Sequence, residues 1–200
     1  LLPDEEVCCG LPAFDAGYKK DARKLAKRNY DIFKKNKVTK IITNCPSCCY
    51  MFKQIYPTLI HGWNIEVEHA TISILKALNK KKIKYNGSEK DREIIAYNDS
   101  CHLGRYCKIY EEPREVLKLL GGKIVEFQLN RENAICCGSG GVERNFPELA
   151  KAIANEKIKS MPKNVNRIIS ASGLCHTNIK SATNKSVEFS TFVLEKLKEI

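Results

Sequence analysis

Ten of the 200 residues are cysteine, and four of them form two adjacent pairs, Cys8-Cys9 and Cys136-Cys137, each followed by glycine. Thiolates act as nucleophiles, redox couples and soft metal ligands, so these pairs are the first place to look for chemistry. A disulfide framework is the weaker reading. Such frameworks belong to small secreted domains without a core, whereas 43% of this chain is hydrophobic. A disulfide between neighbouring cysteines would also strain the peptide that joins them, and the opening residues LLPDEEVCCG carry acids where a secretory leader is basic. No apolar stretch reaches the roughly 18–20 residues of a membrane span. What remains is metal: zinc, or an iron–sulfur cluster.

The elements that must position these thiols are written twice. CCGLPAFDAGYKKDARKLAKRNYDIFKK from Cys8 repeats as CCGSGGVERNFPELAKAIANEKIKSM from Cys136, at an offset of 128 residues. Tyr18 then matches Phe146, Ala22 Ala150, Leu25 Ile153, Ala26 Ala154, Tyr30 Ile158 and Phe33 Met161. The spacing predicts an amphipathic helix directly after CCG, with Asn145 as N-cap of the second copy and Pro147 in its first turn. With one residue lost, Ile41-Ile42 match Ile168-Ile169 as a buried strand, and NCPSC (Asn44 to Cys48) matches ASGLC (Ala171 to Cys175). Cys48 thus corresponds to Cys175, and Cys45 to Ser172. Each copy closes on a short strand and a helix, IEVEHATISILKAL from Ile65 and SVEFSTFVLEKL from Ser186.

The order strand, CCG, helix, strand, Cys, helix, strand, helix predicts an α/β fold of two pseudo-equivalent modules, 1–80 and 92–200, with small, mainly parallel sheets flanked by helices. The polar stretch Asn79 to Arg92 joins them. The second module opens on REIIAYNDSCHLGRY, a strand delivering Cys101, then a helix with Pro113 near its start and Gly121-Gly122 at its end. A counterpart of Cys101 in the first module would fall before residue 1. The first module is therefore expected to be incomplete at its start, with an unpaired sheet edge.

In the second module 34 residues separate Cys101 from Cys136, and 37 separate Cys137 from Cys175. Each lies where a predicted strand gives way, and strand ends of an open α/β sheet converge on one crevice. Cys101, Cys136, Cys137 and Cys175 are expected there together, their sulfurs within about 7 Å, as shared ligation demands. Gly138, Gly140 and Gly141 let the backbone pass close by and donate N–H groups to sulfur. Structural zinc favours CxxC knuckles, and only Cys45 to Cys48 forms one. An iron–sulfur cluster is preferred in both modules, with zinc open, most of all in the first.

The pattern of NDSCHLGRY, PRE, ENAICCGSGG and TNCPSCC resembles the CCG-type cysteine-rich domain family. Its members include catalytic subunits of heterodisulfide reductases and iron–sulfur subunits of glycolate, lactate and anaerobic glycerol-3-phosphate dehydrogenases. The resemblance implies that Cys8, Cys9, Cys45 and Cys48 form the first ligand set, without its leading Cys. Cys101, Cys136, Cys137 and Cys175 would form the second, where Ser172 replaces a thiolate and Asn98 and Ser100 stand where the family often has His and Pro. It implies [4Fe-4S] clusters, non-cubane in the full five-cysteine set. It also implies an oxidoreductase subunit passing electrons between a flavoprotein or ferredoxin-like partner and a quinone or disulfide substrate, in the cytoplasm or at the inner membrane face through a partner. The rival class is a zinc-stabilised binding module without redox activity.

The remaining candidates have plainer readings. Cys49 and Cys107 read as core residues. His102, beside Cys101, could hydrogen-bond cluster sulfur or relay a proton; His61, His69 and His176 have less support, and Phe189 repeats His69. The net charge of +11, from 34 basic and 23 acidic residues, is concentrated in the run Lys19 to Lys37. There it alternates with Asp21 and Asp31 without aromatic platforms, which reads as a solvated helix face or a docking face for an acidic partner, not a nucleic-acid site. GSGG at Gly138 follows no Rossmann strand, so no flavin or nicotinamide fingerprint is present.

Overall fold

The computed structural model describes residues 5–80 and 92–198; residues 81–91, most of the polar joining stretch, lie outside them. The chain divides into two compact units, Leu1–His69 and Ala70–Ile200.

The first unit begins with α1 (Leu11–Asp15) and α2 (Lys19–Lys35), then β1 (Lys40–Thr43). Next comes α3 (Pro46–Tyr50), which runs through a π-helical turn (Met51–Ile55) into α4 (Tyr56–Leu59) before β2 (Glu66–His69). β1 and β2 pair in parallel, Ile41 opposite Val67 and Thr43 opposite His69. Ala22, Ala26, Asn29, Tyr30 and Phe33 form the buried stripe of α2. Its exposed face carries the pairs Lys24–Asp21 and Lys27–Asp31. Aromatic rings fill the core beneath, with Phe52 edge-on to Tyr56 at 4.9 Å and Tyr56 edge-on to Trp63 at 5.0 Å.

The second unit opens with α5 (Ala70–Asn79), which packs on α6 (Glu111–Leu119). Between them run β3 (Glu93–Asn98) and a π-helical turn, His102–Tyr106. β4 (Gly122–Val125), α7 (Val142–Asn145), α8 (Pro147–Lys159), β5 (Arg167–Ser170), α9 (Gly173–Lys180), β6 (Ser186–Glu188) and α10 (Phe189–Lys198) follow. The four strands stand in the order β4-β3-β5-β6, every pair parallel. The α/β class and its small parallel sheets are therefore as the sequence predicts. Gly121 ends α6 with φ +82, and Gly122 is pressed so close to the Leu117 carbonyl that a Cβ would lie 2.8 Å from it.

Three expectations need correction. The helix after CCG is broken in both copies into a short and a long piece. In the first, Gly17 turns the chain at φ +85; in the second, Pro147 forces Phe146 out of helical geometry, to φ −139. Tyr18 and Phe146 therefore leave the buried stripe and stand 64% and 63% exposed. For the same reason Asn145 ends α7 instead of capping α8. Finally, among the described residues no strand leads directly into either CCG: β4 ends at Val125, and ten residues separate it from Cys136.

Among the described residues the first sheet holds only the counterparts of β5 and β6. The difference shows at one residue. Ile42 on β1 is 57% exposed, whereas its repeat partner Ile169 on β5, flanked by β3 and β6, is fully buried.

His69 and its repeat partner Phe189 are both fully buried. Burial holds the His69 imidazole down to about 4, against an opposing hydrogen bond with the Asn44 backbone. An unfolded histidine takes its proton near 6.5, so this contribution to stability is intact above that pH and is lost as pH falls toward 4. The loss amounts to about 3 kcal/mol. His69→Phe is expected to flatten that part of the profile, which urea midpoints of wild type and variant between pH 7 and pH 4.5 would show.

Candidate metal centre

In the second unit β3 delivers Asn98, Asp99, Ser100 and Cys101 from its C-terminal end, and β5 delivers Ser172 and Cys175 from the neighbouring one. The Cys136-Cys137 loop completes the group. Cys137 Sγ lies 2.9 Å from Cys175 Sγ, and Cys136 and Cys137 hydrogen-bond one another. Cys101 adds its charge to this set without a direct sulfur–sulfur hydrogen bond, close enough to be felt by Cys175 and to feel Cys136 and Cys137. In the first unit Cys48 hydrogen-bonds both Cys45 and Cys9, and Cys9 in turn Cys8. Each unit thus brings near one another the four cysteines that the family resemblance implies for it.

The electrostatics differ from thiol to thiol. A hydrogen bond from Cys48, then the Cys48 and Ser47 amides at the start of α3, bring Cys45 down to about 6 against burial. Its bonds to Cys45 and Cys9, with burial, push Cys48 far up. Cys136 is pushed up by its bond to Cys137 and by burial. Cys137 gains from Cys136, yet its bond to Cys175 and burial raise it to about 11. Cys175 is lowered by Cys137, then by Ser172 and Ser100. Cys101 is raised, chiefly by burial. Cys45 and Cys9 in the first set and Cys175 in the second are therefore favoured as thiolates, while Cys48, Cys101, Cys136 and Cys137 are pushed toward the protonated form. Several protons must leave before either set can bind a cation.

The loop glycines are fitted to their places. Gly138, at φ +88, leaves no room for a side chain, because a Cβ would sit 2.6 Å from the Ala150 carbonyl on α8. Its N–H reaches Cys136 Sγ at 3.4 Å, as the Gly10 N–H reaches Cys8 Sγ at 3.5 Å. Gly140 and Gly141 also hold positive φ, and Gly141 starts α7. His102 brings Nδ1 to 3.6 Å from Cys101 Sγ, its ring beside Tyr106. His61 is exposed and His176 pairs with Ser186, while Cys49 and Cys107 are buried. Ser172 occupies the place of Cys45, each standing just ahead of a helix. The Ser172 Oγ accepts the Cys175 N–H at the start of α9.

Two groups of side chains hold this end of the second unit, and their pairings are not written in the motifs. Arg114, fully buried on α6, donates to both Asp99 oxygens at 2.8 and 2.7 Å, to both Glu126 oxygens and to the Tyr110 carbonyl. Asp99 also accepts the Arg131 N–H at 2.8 Å. The backbone before Cys136 is held by Arg105, which donates to the Glu132 and Ala134 carbonyls, and by Lys157, which donates to Ile135. These bonds replace the missing strand ladder.

Among the described residues no three His, Cys, Asp or Glu side chains stand in the arrangement of a ready single-ion site. The donor sets are nevertheless all sulfur, the soft ligands of iron–sulfur clusters and of zinc. A tetrahedral zinc with Zn–S bonds of about 2.3 Å needs its sulfurs more than 3.5 Å apart, so the 2.9 Å Cys137–Cys175 contact must open for either.

A doubled parallel α/β scaffold that carries one sulfur donor set per unit defines a cysteine-rich protein of the CCG class. The sequence matches the CCG family, described as a cysteine-rich domain, over residues 1–53 and 95–180, and the chain belongs to that family. It is 33% identical over 186 residues to one of the subunits of a dihydromethanophenazine:CoB–CoM heterodisulfide reductase of Methanosarcina acetivorans, covering 90% of this chain and 45% of that protein. It is 37% identical over 140 residues to an EtfAB:quinone oxidoreductase of Syntrophomonas wolfei, covering 70% and 19%. A probable iron-sulfur-binding oxidoreductase, FadF, of Bacillus subtilis is 38% identical over 120 residues, covering 60% and 16%. The chain thus spans less than half the length of these relatives. No solved structure matches it. No helix among the described residues is long and apolar enough to cross a membrane.

Proposed function

We propose that this chain is the iron–sulfur part of an oxidoreductase subunit, holding a [4Fe-4S] cluster through Cys101, Cys136, Cys137 and Cys175 and a second group through Cys8, Cys9, Cys45 and Cys48. The observation that carries the reading is the gathering of Cys136, Cys137 and Cys175, with Cys101 beside them, at the C-terminal ends of β3 and β5. Four thiolates suffice for a [4Fe-4S] cluster. When bound, such a group supplies one-electron steps. The chain's own residues fix the sulfurs, press the CCG loop onto α8 through Gly138, and keep His102 at Cys101 Sγ, where it can take or give a proton. The named relatives include part of a heterodisulfide reductase and a quinone oxidoreductase, which supports electron transfer between a flavoprotein or ferredoxin-like partner and a quinone or disulfide. Ser172 in place of a fifth thiolate favours simple electron transfer over disulfide chemistry.

Anaerobic reconstitution tests this. The full chain, reduced and supplied with iron, sulfide and zinc together, is expected to take up iron and acid-labile sulfide in both units. It should turn brown and lose visible absorbance on reduction. Colourless protein with stoichiometric zinc and no sulfide would instead establish the structural, zinc-held module.

A further inference from the structure

The two units differ at one buried position in a way that bears on charge. Lys157 on α8 is 1% exposed, its Nζ donating to the Ile135 carbonyl at 2.8 Å and lying 4.9 Å from the Phe127 ring centroid. The repeat offset places Asn29 of α2 at the same position in the first unit. Asn29 is fully buried too, and its Nδ2 donates to the carbonyl of Val7, the repeat partner of Ile135, at 3.0 Å. It also donates to the Cys8 carbonyl at 3.3 Å, while its Oδ1 accepts the Val7 N–H at 2.9 Å. Both side chains pin the backbone that leads into CCG. The amide does so with both a donor and an acceptor, as the anchoring role requires; the ammonium adds a positive charge that this role does not need.

That charge is costly. An ammonium taken out of water loses its hydration, and burial pulls the Lys157 group down from its ordinary range. Opposing this are the charges of Cys175, Cys137, Asp99 and Cys136, the groups that act on it most. Asp99 is already held by both outer nitrogens of Arg114 and by the Arg131 N–H. The negative charge Lys157 is placed to meet is therefore that of the thiolate set.

We propose that Lys157 is a tuning residue that raises the reduction potential of the group held by Cys101, Cys136, Cys137 and Cys175 above that of the group held in the first unit, where Asn29 supplies no charge. The proposal rests on the iron–sulfur reading. One electron taken from an external donor adds one unit of negative charge to the bound group. A fixed buried cation nearby favours that product over the oxidised form. Burial shields the effect from salt, so it persists at high ionic strength. The second unit is then the one reduced first. Removing the charge should shift its reduction equilibrium by roughly tenfold, which is about 59 mV for a one-electron couple.

The test is an anaerobic redox titration of the reconstituted full chain, followed by electron paramagnetic resonance, with iron and sulfide measured on each sample. Wild type is expected to show two midpoints. Lys157→Met, which keeps length and volume, should lower the higher one by about 59 mV in the iron-loaded protein, with the lower midpoint unchanged. Lys157→Arg should restore it. Asn29→Lys, the reciprocal exchange, should raise the lower midpoint. Iron-loaded Lys157→Met with both midpoints unmoved overturns the proposal while leaving the iron–sulfur reading intact. Should Lys157→Met not fold, an iron-loaded Asn29→Lys without a shift overturns it equally. A wild-type chain that takes up no iron and sulfide overturns both.

Discussion

Arg114→Ala is expected to destabilise the second unit by roughly 3–5 kcal/mol, because it leaves the buried Asp99 carboxylate without its counter-charge. The Arg114 guanidinium grips Asp99 through two bonds and Glu126 through two more, and its plane lies 4.8 Å from the Tyr97 ring centroid. Asp99 is buried, so the loss of its partner leaves a charge poorly hydrated. Lysine should rescue little, since a point charge cannot span two carboxylates with a planar fork. The effect reaches the sulfur set as well. Asp99 lies two residues before Cys101, and its second oxygen holds Arg131 at the head of the segment leading to Cys136. Urea unfolding of wild type, Arg114→Ala and Arg114→Lys would measure the loss. A cost below about 1 kcal/mol would mean that water enters the site and compensates Asp99.

Cys137→Ala is expected to abolish metal uptake by the second unit alone. Cys137 is the hub of its set, touching both Cys136 and Cys175. A chain that loads both sets should lose roughly half its iron, because neither alanine nor serine substitutes for a thiolate toward a soft metal centre. Cys9→Ala should remove the other half. Cys107→Ala, at a buried cysteine of the second unit outside the expected ligand set, serves as the reference and should leave iron content unchanged. Iron and sulfide analysis after anaerobic reconstitution gives the answer. Equal iron in Cys137→Ala and wild type would remove Cys137 from the ligand set.

What the sequence discloses and what it hides divide along physical lines. The repeat is legible because Gly10 and Gly138 need a left-handed backbone, and because the stripes Ala22–Ala26–Phe33 and Ala150–Ala154 must face a core. The parallel sheets follow from strands that alternate with helices. The break after CCG is harder to see, since the helical spacing of Tyr18 and Phe146 is correct and only Gly17 and Pro147 signal the interruption. Lys157 and Asn29 could have been noticed as polar residues on an apolar stripe. Their partners are backbone carbonyls, however, and those carry no letter. Asp99 and Arg114 both stand in recognisable motifs, NDSC and PRE, yet nothing in either motif says that one closes on the other.

The exchange of Cys45 for Ser172 has an evolutionary consequence. Both residues stand just ahead of a helix, and at Ser172 the side-chain oxygen accepts the N–H three residues on. Cysteine and serine codons lie a single base apart, so the step between them is short, and the helix start survives it. The helix start at Ser172 therefore does not depend on a sulfur donor at that position. Donor count and architecture are therefore separable here: a half of the repeat can carry one sulfur donor fewer and keep the same backbone.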